Sequence, residues 1–241
     1  MTLPLKEDPL KNLVLGIACF GTIFAFSTVD AQPLTPGAVM TPEAQEALTP
    51  KEAWQRLMDG NARFVAGAQT HSDLRAEVAA TAGGQFPTAF VLSCVDSRVP
   101  VETVFDQGIG DVFVGRVAGN VIDDQMLGSI EFATAVAGTP LIVVMGHTAC
   151  GAVKGACDGV ELGHVTALVK AIEPSVKAVA PEGASSKNIE QVNAVVEHNA
   201  KRTADLVREK SEIVRNLEKE GDVMIVAAVY DLHTGAVTVL D

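Results

Sequence analysis

The chain has 241 residues, 48% hydrophobic and 5% aromatic, with 18 Lys and Arg against 30 Asp and Glu for a formal net charge of −12. That acidity argues against nucleic-acid binding, which favours a basic surface. The length beyond the N-terminal region suits one domain with a sizeable core. In chain order, Lys6 and Lys11 precede an apolar stretch from Leu13 to Phe26, followed by Ser27-Thr28-Val29-Asp30-Ala31. A charged start, a short apolar run and small residues at the recognition positions form a signal-peptide pattern. Cleavage before Gln32 is expected, with residues 1–31 removed and the mature protein periplasmic, without stable membrane association. The run is short of the roughly twenty apolar residues that span a bilayer, so an uncleaved membrane anchor is the alternative reading.

Residues 32–47 are rich in Pro, Ala and Thr and read as a linker, leaving 48–241 as the folded domain. Thr49-Pro50-Lys51-Glu52 is a helix start, with a capping Thr, Pro in the first turn and Glu three after the cap. That helix is expected to run to about Ala66. Apolar runs near 88–93, 112–115, 140–145 and 223–229 alternate with helical stretches, which predicts an α/β fold with a mostly parallel β-sheet flanked by helices. Asn188 to Glu220 reads as one long charged helix stopping at Gly221, and Ala236 to Leu240 as an edge strand.

Two segments following these strands carry chemistry: Cys94-Val95-Asp96-Ser97-Arg98 and His147-Thr148-Ala149-Cys150. In an open α/β sheet, side chains just past the carboxyl ends of strands converge in one crevice. Two strand tips therefore deliver two Cys and one His to one point. Zinc favours such nitrogen and sulfur ligands, and a catalytic zinc uses three with a fourth position open. The spacing suggests that a first helical turn places His147 and Cys150 on one side. Cys157 lies two turns beyond Cys150 and reads as a core thiol. A closed structural site would need a fourth Cys or His. Removal of Cys19 with the leader leaves three cysteines, an odd count that does not suggest a disulfide framework.

From these residues the chain resembles the β-class carbonic anhydrases, over nearly all of the expected mature domain. Cys94-x-Asp96-Ser97-Arg98 and Gly146-His147-Thr148-x-Cys150-Gly151 carry the resemblance. Gly60-Asn61-x-Arg63-Phe64, Phe113-Val114-Gly115-Arg116-Val117-Ala118-Gly119-Asn120, Ser129-Ile130-Glu131-Phe132-Ala133 and Tyr230-Asp231-Leu232-x-Thr234-Gly235 support it. The resemblance implies one Zn2+ per chain held by Cys94, His147 and Cys150. It implies reversible hydration of CO2 to bicarbonate and a proton by attack of zinc-bound hydroxide, a lyase reaction. Asp96 and Arg98 would be the catalytic dyad, the Arg98 fork keeping the carboxylate from becoming a fourth ligand in a closed state.

Gln85, Phe113, Ala118 and Phe132 match the family's substrate-binding positions. Phe132 stands where a tyrosine is often found and Ala118 where valine is common, which would widen the pocket. Val91 occupies the position of a tryptophan that marks an inhibitory bicarbonate site in some members, so that site is not expected. The family pocket is shared between subunits, which implies a homodimer or dimer of dimers with the N-terminal helix packed on its partner. Two other readings fit the same ligands: a hydrolase of carbon disulfide or carbonyl sulfide on this scaffold, and a non-catalytic zinc-binding protein.

Overall fold

The computed structural model describes residues 38–71 and 73–241, so the expected signal peptide and its cleavage point lie outside the described residues. The chain first forms α1 (Pro42–Glu46), α2 (Pro50–Ala66) and α3 (Leu74–Thr81). The run β1 (Ala89–Ser93), α4 (Val101–Val104) and β2 (Val112–Arg116) follows, then a single 3₁₀ turn at Ala118–Asn120. Next come α5 (Asp124–Glu131), continuing into a π-helical stretch at Phe132–Val136, and β3 (Leu141–His147). The rest is α6 (Gly151–Cys157), α7 (Val165–Val179), α8 (Ile189–Lys210), α9 (Glu212–Glu220), β4 (Met224–Tyr230) and β5 (Val237–Val239). Among the described residues no helix is long and apolar enough to cross a membrane.

The α2 boundary follows from its capping chemistry. Thr49 Oγ1 accepts the Glu52 amide at 3.3 Å, Glu52 Oε2 accepts the Thr49 amide at 2.8 Å, and Pro50 opens the helix. Gly67, left-handed at φ 68°, ends it. Every residue of β1 and β3 is buried, as expected of central strands in a parallel sheet covered on both faces. The strand order is β2-β1-β3-β4-β5, parallel through β4, with β5 antiparallel at the edge.

Alternate residues serve opposite faces. Val91, Leu141, Val143 and Met145 pack with Leu57 of α2 and Val101 and Val104 of α4. Phe90, Leu92, Ile142 and Val144 pack with Ile130 of α5 and Ala200, Ala204 and Val207 of α8. The chain leaves β1 for β2 on one side and then returns to place β3 on the other. The two connections diverge between β1 and β3, and ligand sites in such sheets form at that switch point, outside the carboxyl ends of the strands.

Two expectations are revised. The stretch 188–220 is two helices, because Ser211 adopts extended backbone (φ −103°, ψ 107°) and caps α9, its Oγ accepting the Val214 amide at 3.1 Å. The same hydroxyl donates to Glu131 Oε1 at 2.6 Å, which ties the break to the end of α5. Within the stretch read as a linker, Pro42–Glu46 forms α1, capped by Thr41, and Gln45 Nε2 donates to the carbonyls of Pro87 and Ala137.

Candidate metal centre

Directly after β1 the chain turns at Cys94–Arg98. The turn is closed by the Arg98 amide donating to Asp96 Oδ1 at 3.0 Å and the Val99 amide donating to the Asp96 carbonyl at 3.0 Å. Arg98 grips the same carboxylate with both arms of its fork, Nε to Oδ1 at 2.9 Å and Nη2 to Oδ2 at 2.7 Å. From the end of the neighbouring β2, Arg116 donates Nε to the Cys94 carbonyl at 2.9 Å and Nη2 to the Asp96 carbonyl. Arg116 belongs to a motif visible in the sequence. Its role became legible only once β2 was placed beside β1.

The end of β3 is shaped by a close approach of α8: a Cβ on Gly146 would lie 2.7 Å from Val196 Cγ1. His147 is the last strand residue, and the Thr148 amide donates to the Tyr230 carbonyl at 3.0 Å. His147 and Cys150 do not share a helical turn, contrary to the expectation from spacing. Ala149 between them is left-handed at φ 56°, and Cys150 is the N-cap of α6. The reversal at Ala149 turns Cys150 back towards Cys94.

The result is a buried cluster in which the ligand atoms of Cys94, His147 and Cys150 all lie within 4.8 Å of one another. The two sulfurs are 4.0 Å apart. Two thiolates bound at about 2.3 Å to one tetrahedral zinc stand roughly 3.8 Å apart, so the spacing suits a shared cation. His147 Nδ1 lies 3.0 Å from the Thr148 carbonyl, to which it donates in the neutral ring. That leaves Nε2 as a bare lone pair, buried and without a hydrogen-bond partner, which is how a metal-ligating histidine is oriented. The thiols fit as well. Cys94 is pulled far below the usual thiol value, first by the Cys150 hydrogen bond and also by His147 and the Gly119 amide, which lies 3.4 Å from its sulfur. Cys150 is pushed up by its bond to Cys94, by burial and by the charge on Cys94. A divalent cation held by Cys94 and Cys150 would remove the penalty on the second thiolate.

A family profile described as carbonic anhydrase matches residues 89–237, which includes both ligand-bearing loops. The chain belongs to the β-carbonic anhydrase family. It is 39% identical over 201 residues to carbonic anhydrase 2 of Mycobacterium tuberculosis, covering 80% of this chain and 93% of that protein. It is 41% identical over 194 residues to a carbonic anhydrase of Mycolicibacterium smegmatis, covering 78% and 92%. Among solved structures, the β-carbonic anhydrase CafA of Aspergillus fumigatus superposes with a TM-score of 0.64 at 27% identity, over 78% of this chain and 90% of that one. One of two tetrameric β-carbonic anhydrases of Sordaria macrospora gives 0.63 at 26% identity, over 78% and 95%.

Within one chain this β-carbonic anhydrase fold brings only part of the expected site together. Asp96 sits at the cluster edge, its Oδ2 3.7 Å from His147 Nε2, and Ala118 begins the 3₁₀ turn whose Gly119 amide reaches Cys94. Asp96 is bound to Arg98, not turned in as a fourth ligand. Phe113 and Phe132 pack edge to face, centroids 6.2 Å apart, and line a cavity with Phe90 and Val114. Phe90 lies four residues before Cys94, roughly 13 Å along β1. Gln85 is exposed and precedes β1, so about a strand length, roughly 17 Å, separates it from the same chain's cluster. Cys157 is a buried free thiol at the end of α6 and takes no part.

Proposed function

We propose that the chain catalyses reversible hydration of CO2 to bicarbonate and a proton, with one Zn2+ held by Cys94, His147 and Cys150. The carrying observation is the buried three-ligand cluster with its unpartnered His147 Nε2, beside a carboxylate locked in place by Arg98. Zinc in such a site acts as a Lewis acid that makes a nucleophilic oxygen available near neutral pH.

The protein's own groups do the rest. Arg98 holds both Asp96 oxygens and so keeps the carboxylate from closing on the cluster. The Asp96 carboxyl lies far below the usual range, chiefly because the Arg98 side chain donates to it. It is therefore ionised through the neutral range and serves as a hydrogen-bond acceptor that orients the attacking oxygen. Arg116 fixes the two carbonyls that bracket this turn. A storage protein has no use for a clamped carboxylate at the mouth of its metal site, which favours catalysis over metal binding alone.

The substrate pocket is proposed to be completed by a second copy of the chain. Gln85, the expected donor to a substrate oxygen, is exposed and remote from its own cluster. Phe132 and Val136 next to the aromatic cavity are 52% and 72% exposed, and the Sordaria macrospora relatives are described as tetrameric. A homodimer or dimer of dimers, with α2 seated on its neighbour, is the proposed assembly. Residues 1–31 are proposed to direct export to the periplasm, which N-terminal sequencing of the mature protein tests.

Stopped-flow CO2 hydration on zinc-loaded protein, from mildly acidic to alkaline pH, is the deciding experiment. Rapid turnover rising with pH supports the reading. Absence of turnover with one zinc per chain overturns it.

A further inference from the structure

Two loops at the cluster use left-handed backbone: the one that presents Cys150 and the 3₁₀ turn after β2 that contacts Cys94. Ala149 is left-handed at φ 56°, which costs a non-glycine residue on the order of 1–2 kcal/mol. Gly119 is left-handed at φ 71° and packed so tightly that a Cβ there would come within 2.6 Å of Ile172 Cδ1. A left-handed alanine persists only where surrounding structure over-determines it, whereas glycine adopts that backbone freely. The same helix is hydrogen-bonded to both loops. Asn193 Oδ1 of α8 accepts the Ala149 amide at 2.8 Å, and Asn199 Nδ2 of α8 donates to the Gly119 carbonyl at 2.9 Å. The Gly119 amide in turn lies 3.4 Å from Cys94 Sγ.

Asn199 is itself fixed. It is 1% exposed, and the Ser175 hydroxyl of α7 donates to its Oδ1 at 3.3 Å. That bond leaves the NH2 end facing Gly119. The helix is seated by buried Val192, Val195, Val196 and Ala200, with Val196 in the gap left by Gly146. Six residues of helix span about 9 Å, enough for one asparagine to reach the β3 loop and the other the loop that contacts Cys94. We propose that Asn193 and Asn199 are positioning residues for the metal centre, making α8 the rigid template that sets the two sulfurs at a metal-binding separation. The proposal rests on the metal reading of Cys94, His147 and Cys150. Outer groups that orient first ligands typically alter metal affinity or activity by about 10–100-fold.

The test uses full-length protein carrying Asn193→Ala, Asn193→Asp or Asn199→Ala, with Leu57→Ala in the opposite core as a control for lost stability alone. Zinc retention is read by competition with a chromogenic chelator, and ligand geometry by the thiolate-to-metal absorption of the cobalt(II)-substituted protein. Asn193→Ala and Asn199→Ala are each expected to weaken retention about 10–100-fold and to shift the cobalt band. Asn193→Asp, which keeps an acceptor oxygen, restores most of both signals. Leu57→Ala lowers the melting temperature and leaves both signals at wild-type values. Wild-type retention and an unshifted band in the two alanine variants overturn the proposal. Should Asn199→Ala fail to fold, the Asn193 pair decides alone. A wild-type chain that binds no cation overturns the metal reading and this proposal with it, whereas one cation per chain with unaltered variants removes only the proposal.

Discussion

At the scale of single residues, the centre depends on atoms without substitutes nearby. Cys150→Ser replaces a soft sulfur 4.0 Å from Cys94 with a hydroxyl that zinc rarely selects. Elemental analysis should find zinc content near background, with activity lost in parallel. Asp96→Ala should retain zinc and lower turnover by about 100-fold, because the orienting acceptor is gone while the ligands remain; stopped-flow rates alongside metal content check this. Away from the site, Asp106 is buried and left-handed at φ 46°, bonded to Arg63 Nε at 2.6 Å and to the Thr70 amide and hydroxyl. Burial raises its pKa, but these partners outweigh burial and the net shift is downward. A carboxyl with a depressed folded value adds stability that is present above its unfolded pKa of about 4 and is lost as pH falls through the folded value. Asp106→Asn, which tolerates the same backbone, should cost roughly 1–3 kcal/mol at pH 7. In thermal melts the gap to wild type should narrow below about pH 4. Cys94, Asp96, Arg98, His147 and Cys150 were legible in the sequence because ionic and metal-binding side chains at the ends of apolar runs have no packing reason to be there. Ala149 was not, since nothing in an alanine announces a left-handed backbone. Asn193 and Asn199 read simply as polar positions on a charged helix.

At the scale of elements, strands were easier to place than breaks. The buried runs at β1 and β3 are uninterrupted, so their existence follows from composition, although β3 continues past the expected 145 to His147. The α8–α9 junction was hidden because a serine amid Glu, Lys and Arg fits a helix as well as a cap. Only the fold reveals Glu131 waiting to accept its hydroxyl. Ser211→Ala removes both that bond and the α9 cap, and a loss of about 1–2 kcal/mol is expected from denaturant unfolding. The pocket aromatics show a related limit. Sequence matching named Phe113 and Phe132, and they do meet, but their distance from the same chain's cluster depends on strand length and sheet order.

At the scale of the whole molecule, the exposed apolar surface beside Phe132 should be where copies meet. Val136→Glu places a charge in that surface, and light scattering should report a smaller assembly. Turnover should fall by at least about tenfold, since one catalytic group is worth that much or more, while zinc stoichiometry stays at one per chain. Persistence of assembly and rate would place the interface elsewhere. The cluster also bears on the chain as a polymer. Cys94 and Cys150 are 56 residues apart, and the chain between them contains β2, α5 and the pocket aromatics. A cation held by both sulfurs would tie the two ends of that segment together. A disulfide persists when a chain unfolds, whereas a cation held only by the folded chain would stabilise it by its own binding free energy. Such an ion would also be a reversible clasp, and withdrawing it would loosen the hold on the segment that carries β2 and β3.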